Sequence, residues 1–325
     1  MRFPLAIFAA ALVMLPIATV AKGPKISDPA KVDKDFAFQG EFSGEIGEEK
    51  AKLGVQVIAL GEGNFRAVGY LGGLPGDGWD TTKEKIITDG KLVGDSVEFK
   101  RERGTGIVQG GKFILRNKEG VDVATLDRIE RKSPTLGAKP PKNAVVLFDG
   151  KSADNFKGGR LDGKLLMQGV TSKQTFGSHT IHVEFRLPYQ PQDRGQGRGN
   201  SGIYVQGRYE IQMLDSFGLD GKQNECGGLY SVKDPDVNMC LPPLAWQTYD
   251  IEYTAATFDE AGKLKAHPRV TVKHNGVVIH NDVELPGNRS TTAAPSKPGP
   301  KAGPVFLQDH GCPVRYRNIW VVEKK

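Results

Sequence analysis

Short runs of alternating apolar and polar residues dominate the chain from Phe36 onward. In Tyr209–Leu214 (YEIQML), Glu210, Gln212 and Leu214 share one face of a strand, and Ile211 and Met213 share the other. In His179–Leu187, Ile181, Val183 and Phe185 alternate with His182, Glu184 and Arg186. Similar runs predict strands over Lys52–Leu60, Phe65–Leu71, Ser96–Lys100, Lys112–Arg116 and Val121–Arg128. A second group covers Val145–Phe148, Gly202–Gln206, Thr248–Tyr253, Arg269–His274, Val277–Val283, Val305–Gln308 and Val314–Val322. Asn275-Gly276, between VTVKH and VVIH, is a type I′ hairpin signal. Helical periodicity is scarce, so the pattern predicts an all-β protein.

Composition agrees and divides the chain. The 325 residues include 41 glycines and 20 prolines, which suits many turns and short strands, and the length allows about two domains. Residues 36–132 read as a small all-β domain, and 144–325 as a larger β-sandwich. Residues 22–35 read as a polar linker, and Ser133–Asn143 (SPTLGAKPPKN) as an extended Pro-rich connector. Pro286–Gly303 is rich in Pro, Ser, Thr and Gly and predicts a mobile loop. In LGGLPGDGWD, Trp79 is either an exposed binding tip or the closure of a small barrel.

The first 21 residues change the compartment. Met1-Arg2 is a positive start, Leu5–Val20 is an apolar run, and Thr19-Val20-Ala21 is a small-residue cleavage site. This is the pattern of a secretory signal peptide cut after Ala21, giving a periplasmic or secreted protein with no membrane span after its removal. Oxidising conditions then favour a bridge among Cys226, Cys240 and Cys312. Cys226–Cys240, flanking one loop, is the expected pair and would stabilise by about 3 kcal/mol. No C-x-x-C pair supports a zinc site. The net charge of +6 is scattered without a basic run, which argues against nucleic acid as a partner.

Polar strand faces supply the candidate chemistry. Glu210 beside Gln212 places one carboxylate and one amide on a rigid element. Phe306, Gln308 and His310 share a face near the end of the chain. Asn200 and Ser201 open the strand before Tyr204, and Trp246 precedes another strand where it could stack on a sugar ring. Polar faces of neighbouring curved strands would suit a saccharide, whose hydroxyls need donors and acceptors. Metal-ligand spacing is not evident, so a metal would need ligands from distant strands.

Seven segments in this order carry a family resemblance. They are LFDGKSADNFKG, IHVEFR, GNSGIYVQGRYEIQMLDS, NECGGLYSV, WQTYDIEY, HNGVVIHNDV and GPVFLQDHGCPVRYRNIWV. Together they make 144–325 resemble the 3-keto-disaccharide hydrolase domain family. The resemblance implies a concanavalin A-like antiparallel β-sandwich, or jelly roll, with its ligand on the concave sheet. It also resembles laminarinase-type glycosidases, whose catalytic strand carries E-x-D-x-x-E. Here Glu210, Gln212 and Asp215 occupy the comparable strand, so the paired-carboxylate mechanism lacks its second acid. A 3-keto-glycoside permits another route: C2 proton abstraction, elimination of the C1 substituent and hydration. The implied roles are Glu210 as base, Gln212 positioning the sugar, and His310 with Gln308 as acid or enolate stabiliser. Arg186 or a divalent metal ion would supply positive charge at the oxyanion. Asn200, Ser201, Tyr204 and Trp246 complete the expected substrate contacts. A non-catalytic, lectin-like carbohydrate-binding module is the alternative.

Overall fold

Eight antiparallel strands between Gly40 and Ile129 close into a barrel, each pairing with the next and the first with the last. A barrel of this size has an interior that side chains fill. Phe42, Val55, Val57, Phe65, Val97, Phe99, Phe113 and Leu126 do so here. Gly90 makes room for one of these rings, since a Cβ there would lie 2.4 Å from Phe99. The structure, a computed structural model, describes residues Gly23–Lys324. The signal peptide expected over residues 1–21 lies outside the described residues.

The larger domain is a sandwich of two antiparallel sheets. The small sheet runs Phe156–Lys157, Val170–Phe176, Gly303–Leu307, Ser201–Val205 and Tyr209–Met213 in spatial order. The large sheet has His179–Arg186 at its centre, between Arg315–Glu323 and Trp246–Thr254. Its other side continues through Arg269–His274 and Val277–Glu284. The hairpin between those two strands turns at Asn275 and Gly276, with φ of 50° and 82°, as a type I′ turn requires.

The alternation decides what faces the core. Ile203, Val205, Ile211, Met213, Val305 and Leu307 of the small sheet share one buried cluster with Ile181, Val183, Phe185, Tyr249 and Ile251 of the large sheet. Each such side chain contributes about 1.5–3 kcal/mol by leaving water. Two tyrosines also bond across the layers. Tyr249 Oη donates to Gln212 O at 2.6 Å, and Tyr253 Oη to Gln206 Oε1 at 2.9 Å.

Several segments expected to be loose are held. The Pro-rich connector is strapped over the outer face of the large sheet. Ser133 Oγ lies 2.6 Å from Thr248 Oγ1, Thr135 Oγ1 donates to Asp250 Oδ2 at 2.6 Å, and Gly137 N donates to Glu184 Oε1 at 2.6 Å. Residues before the barrel are also docked: Ile26 pairs with Tyr189, and Phe36 packs edge-on against the same ring at 5.1 Å. Pro286–Gly303 is anchored by buried Arg208, which donates to Lys297 O and Lys301 O, both at 2.8 Å. Trp79 is no exposed tip. It packs on Tyr70 at 5.0 Å, and Tyr70, Ile58, Val68 and Leu74 of the barrel join the sandwich core.

The expected Cys226–Cys240 bridge is not made; all three cysteines are buried free thiols. The thiols bond to their surroundings instead. Cys226 Sγ lies 3.2 Å from Tyr249 Oη, and Cys240 Sγ donates to Leu214 O and Leu241 O at 3.5 Å. Among the described residues no helix is long and apolar enough to cross a membrane.

Candidate functional site

Register assembles the site on the outer face of the small sheet. Tyr204 pairs with Glu210, Gly202 with Gln212, and Phe306 with Tyr204. Gln308 N donates to Gly202 O at 2.9 Å, which continues the row. With their neighbours Ile203, Ile211 and Leu307 in the core, Tyr204, Glu210, Gln212 and Gln308 must point the other way.

Glu210 is the centre of this face and is only 3% exposed. Its Oε2 accepts from Tyr204 Oη at 2.7 Å, and that hydroxyl accepts from Gln308 Nε2 at 3.1 Å. Its Oε1 sits over Gly202, where a Cβ would come within 2.3 Å of it. The side-chain gap at Gly202 therefore seats the carboxylate. Burial pushes the Glu210 carboxyl up from its ordinary 4.5 to about 7, against the opposing pull of the Tyr204 hydrogen bond. A carboxyl in that range can both take and return a proton near neutral pH.

Loops roof the face. Thr291 Oγ1 accepts from Glu210 N at 3.2 Å, and Thr292 O lies 3.1 Å from Tyr204 Oη. Gln196, in a short 3-10 turn at Gly195–Gly197, accepts at Oε1 from Gln212 Nε2 at 3.0 Å and from Asn200 Nδ2 at 3.1 Å. Its own Nε2 donates to Asn224 O at 2.7 Å. Gln212 is thus occupied in holding the Gln196 turn. Two buried acceptors remain without partners: Asn200 Oδ1 and Gln308 Oε1. Unpaired buried acceptors are costly unless a donor arrives, and sugar hydroxyls are such donors.

Of the expected residues, Glu210, Gln212, Tyr204, Gln308 and Asn200 come together. The others do not. Ser201 alternates to the core face, where Oγ donates to Gln308 O at 2.7 Å and meets Tyr316 Oη. His310 lies beyond the end of the strand and is exposed, since the alternation that would align it with Gln308 stops at Leu307. Arg186 and Trp246 are paired with one another on the outer face of the large sheet, with the guanidinium 5.1 Å from the indole ring. The whole sandwich separates them from Glu210, so Arg186 does not supply charge to this site. There it belongs to a structural cluster in which His182 Nδ1 lies 2.6 Å from Asp250 Oδ1, and Arg317 Nε donates to Glu184 Oε2 at 2.6 Å.

Asp215, the other acid of the strand motif, is an internal counter-ion: its Oδ2 accepts from Arg198 Nε at 2.6 Å. Among the described residues no group of three or more His, Cys, Asp and Glu side chains gathers as a metal site. The donor set round Glu210 is one carboxylate with neutral amides and hydroxyls, which suits a sugar better than a divalent ion. Gln196, Asn224, Thr291 and Thr292 were missed from the sequence. They lie in loops, where no periodicity marks which way a side chain points.

Residues 143–322 match the model of the 3-keto-alpha-glucoside-1,2-lyase-like domain. Among solved structures, a candidate glycosyl hydrolase of Parabacteroides distasonis ATCC 8503 is 35% identical, with a TM-score of 0.52. The match covers 57% of this chain and 85% of that one. A second candidate glycosyl hydrolase of that organism is 17% identical with a TM-score of 0.43, covering 57% of this chain and 95% of its own. The search of curated proteins returned no match.

Proposed function

Because the chain belongs to the 3-keto-alpha-glucoside-1,2-lyase-like family, we propose that it cleaves 3-keto-glycosides, with Glu210 removing the proton from C2. The observation that carries this reading is a solitary buried carboxyl, raised to about 7, whose Oε1 accepts no hydrogen bond from the described residues. A ketone at C3 acidifies the C2–H bond. The proton passes to Glu210, the C–H electron pair forms the enolate, and collapse of the enolate to the C1=C2 enone breaks the C1–O bond as Glu210 returns its proton to the leaving oxygen. Water then adds across C1=C2, its hydroxyl to C1 and its proton, by way of Glu210, to C2, so the net result is hydrolysis. One carboxyl that gives back the proton it takes serves this route, whereas paired-carboxylate hydrolysis needs two.

The surroundings give each remaining group a task. Tyr204 Oη holds Oε2 in place and is the donor assigned to the developing enolate once Glu210 carries the proton. Asn200 Oδ1 and Gln308 Oε1 receive sugar hydroxyls. Gln212 acts through Gln196, fixing the turn above the site. The leader read over residues 1–21 fits work outside the cytoplasm.

The test is to incubate the protein with a 3-keto-disaccharide and with the parent disaccharide. Release of sugar from the keto compound alone supports the proposal. Equal cleavage of both would replace it with ordinary glycosidase chemistry. Saturable binding without cleavage would replace it with a lectin-like role.

A further inference from the structure

The face that carries Glu210 holds one large apolar side chain that no core absorbs. Phe306 alternates with Val305 and Leu307, both fully buried in the sandwich core, so its ring points out beside Tyr204. The two ring centroids are 5.2 Å apart, with the ring planes inclined at 51°. Phe306 is partly exposed, and among the described residues it belongs to neither hydrophobic core. A phenyl ring left partly in water gains free energy when something apolar covers it.

Register fixes which part of a substrate would meet this ring. Pairing across the sheet puts Glu210, Tyr204, Phe306 and Thr171 in one row, one residue from each of four strands. On the Glu210 side the row is closed. Tyr230 N donates to Glu210 O at 3.2 Å, Gln212 N donates to Gly228 O at 2.9 Å, and Gln196 ties Gln212 to Asn224. On the other side the next positions are small. They are the partly exposed Thr171 and Gly169, whose N–H donates to Leu307 O at 3.0 Å. The face therefore continues past Phe306 and stops at Glu210. Phe306 stands two strands from Glu210, about 10 Å between backbones at the ordinary spacing. A sugar ring reacting at Oε1 lies over Gly202, where that oxygen sits. The part of the molecule left to reach Phe306 is the C1 substituent.

We propose that Phe306 is the specificity-determining contact for the leaving group, and that this group is a second pyranose whose C–H face stacks on the ring. The proposal rests on the reading of this face as the site for 3-keto-glycosides. Stacking on an aromatic ring needs an extended apolar face, which a pyranose presents and a methyl group does not.

Isothermal titration of the full chain carrying Glu210→Gln, with a 3-keto-disaccharide and with the methyl 3-keto-glucoside, tests this. The same titrations follow with Phe306→Ala, Phe306→Leu or Phe306→Tyr added, each checked for folding by circular dichroism. Ala and Leu should weaken the disaccharide about five- to ten-fold more than the methyl glycoside, and Tyr should hold it within about two-fold. If Glu210→Gln still cleaves the disaccharide, the assignment of Glu210 as base falls, and KM for the two substrates decides Phe306 in the same way. The proposal is overturned if neither ligand binds, or if Leu binds the disaccharide as well as Phe. It is also overturned if the folded Ala and Leu variants lose both ligands alike, as a merely structural support for Tyr204 would give, or lose neither.

Discussion

Replacing Glu210 by Gln should stabilise the protein, and only at high pH. The folded-state carboxyl is raised from 4.5 to about 7, so the folded chain holds this proton where the unfolded chain has lost it. Stability therefore falls as pH rises from 4.5 to 7 and is level beyond. The shift corresponds to about 3 kcal/mol at about 1.4 kcal/mol per unit. Gln cannot ionise, and its carbonyl can still accept from Tyr204 Oη in place of Oε2. The amide group would replace Oε1, which has no protein partner to lose. The variant should match wild type at pH 4.5 and exceed it by about 2–3 kcal/mol at pH 8. Urea unfolding of both proteins at pH 4.5, 6 and 8 reads this directly, because distant titrating groups cancel in the difference. A difference independent of pH, or a variant less stable than wild type at pH 8, would refute the account of Glu210 as a desolvated carboxyl.

Other consequences can be checked separately. Gly202→Ala should lower activity about ten-fold or more while the fold survives, since its Cβ would fall 2.3 Å from Glu210 Oε1; circular dichroism and rate measurements separate the two effects. Arg208→Met strips the buried anchor from Lys297 O and Lys301 O, and should cost about 2–3 kcal/mol and admit protease within Pro286–Gly303. Glu184 behaves in the opposite sense to Glu210. Burial would raise its carboxyl, but His182, Asn318, Arg317 and the Gly137 N–H together hold it down at about 2. Its contribution is present above pH 4.5 and lost as pH falls towards 2, so Glu184→Gln should cost about 2 kcal/mol at pH 7 and little at pH 2, read by urea midpoints.

The strand content and the Glu210 face were legible because period-two alternation is a property of single strands. Ile211 and Met213 went to the core and Glu210 and Gln212 away from it, as the pattern requires. The same rule placed Ser201 wrongly only because it was grouped with Asn200 as a turn rather than counted along its strand. Alternation says nothing about which sheet a strand joins. Arg186 sits on an equally polar face, but of the other sheet, and only long-range pairing could separate it from Glu210. His310 was extrapolated past the point where the strand ends. The roofing residues Gln196, Asn224 and Thr291 were invisible for a different reason. Their positions follow from loop anchors such as Arg208, which act across about ninety residues of sequence and leave no local pattern.

The most direct test of Glu210 as the C2 base is the cleavage rate of a 3-keto-disaccharide by wild type and Glu210→Gln at pH 8. The account predicts a loss of about 10²–10⁴-fold in a folded variant. A Glu210→Gln protein that cleaves the substrate within a few-fold of the wild-type rate would contradict it.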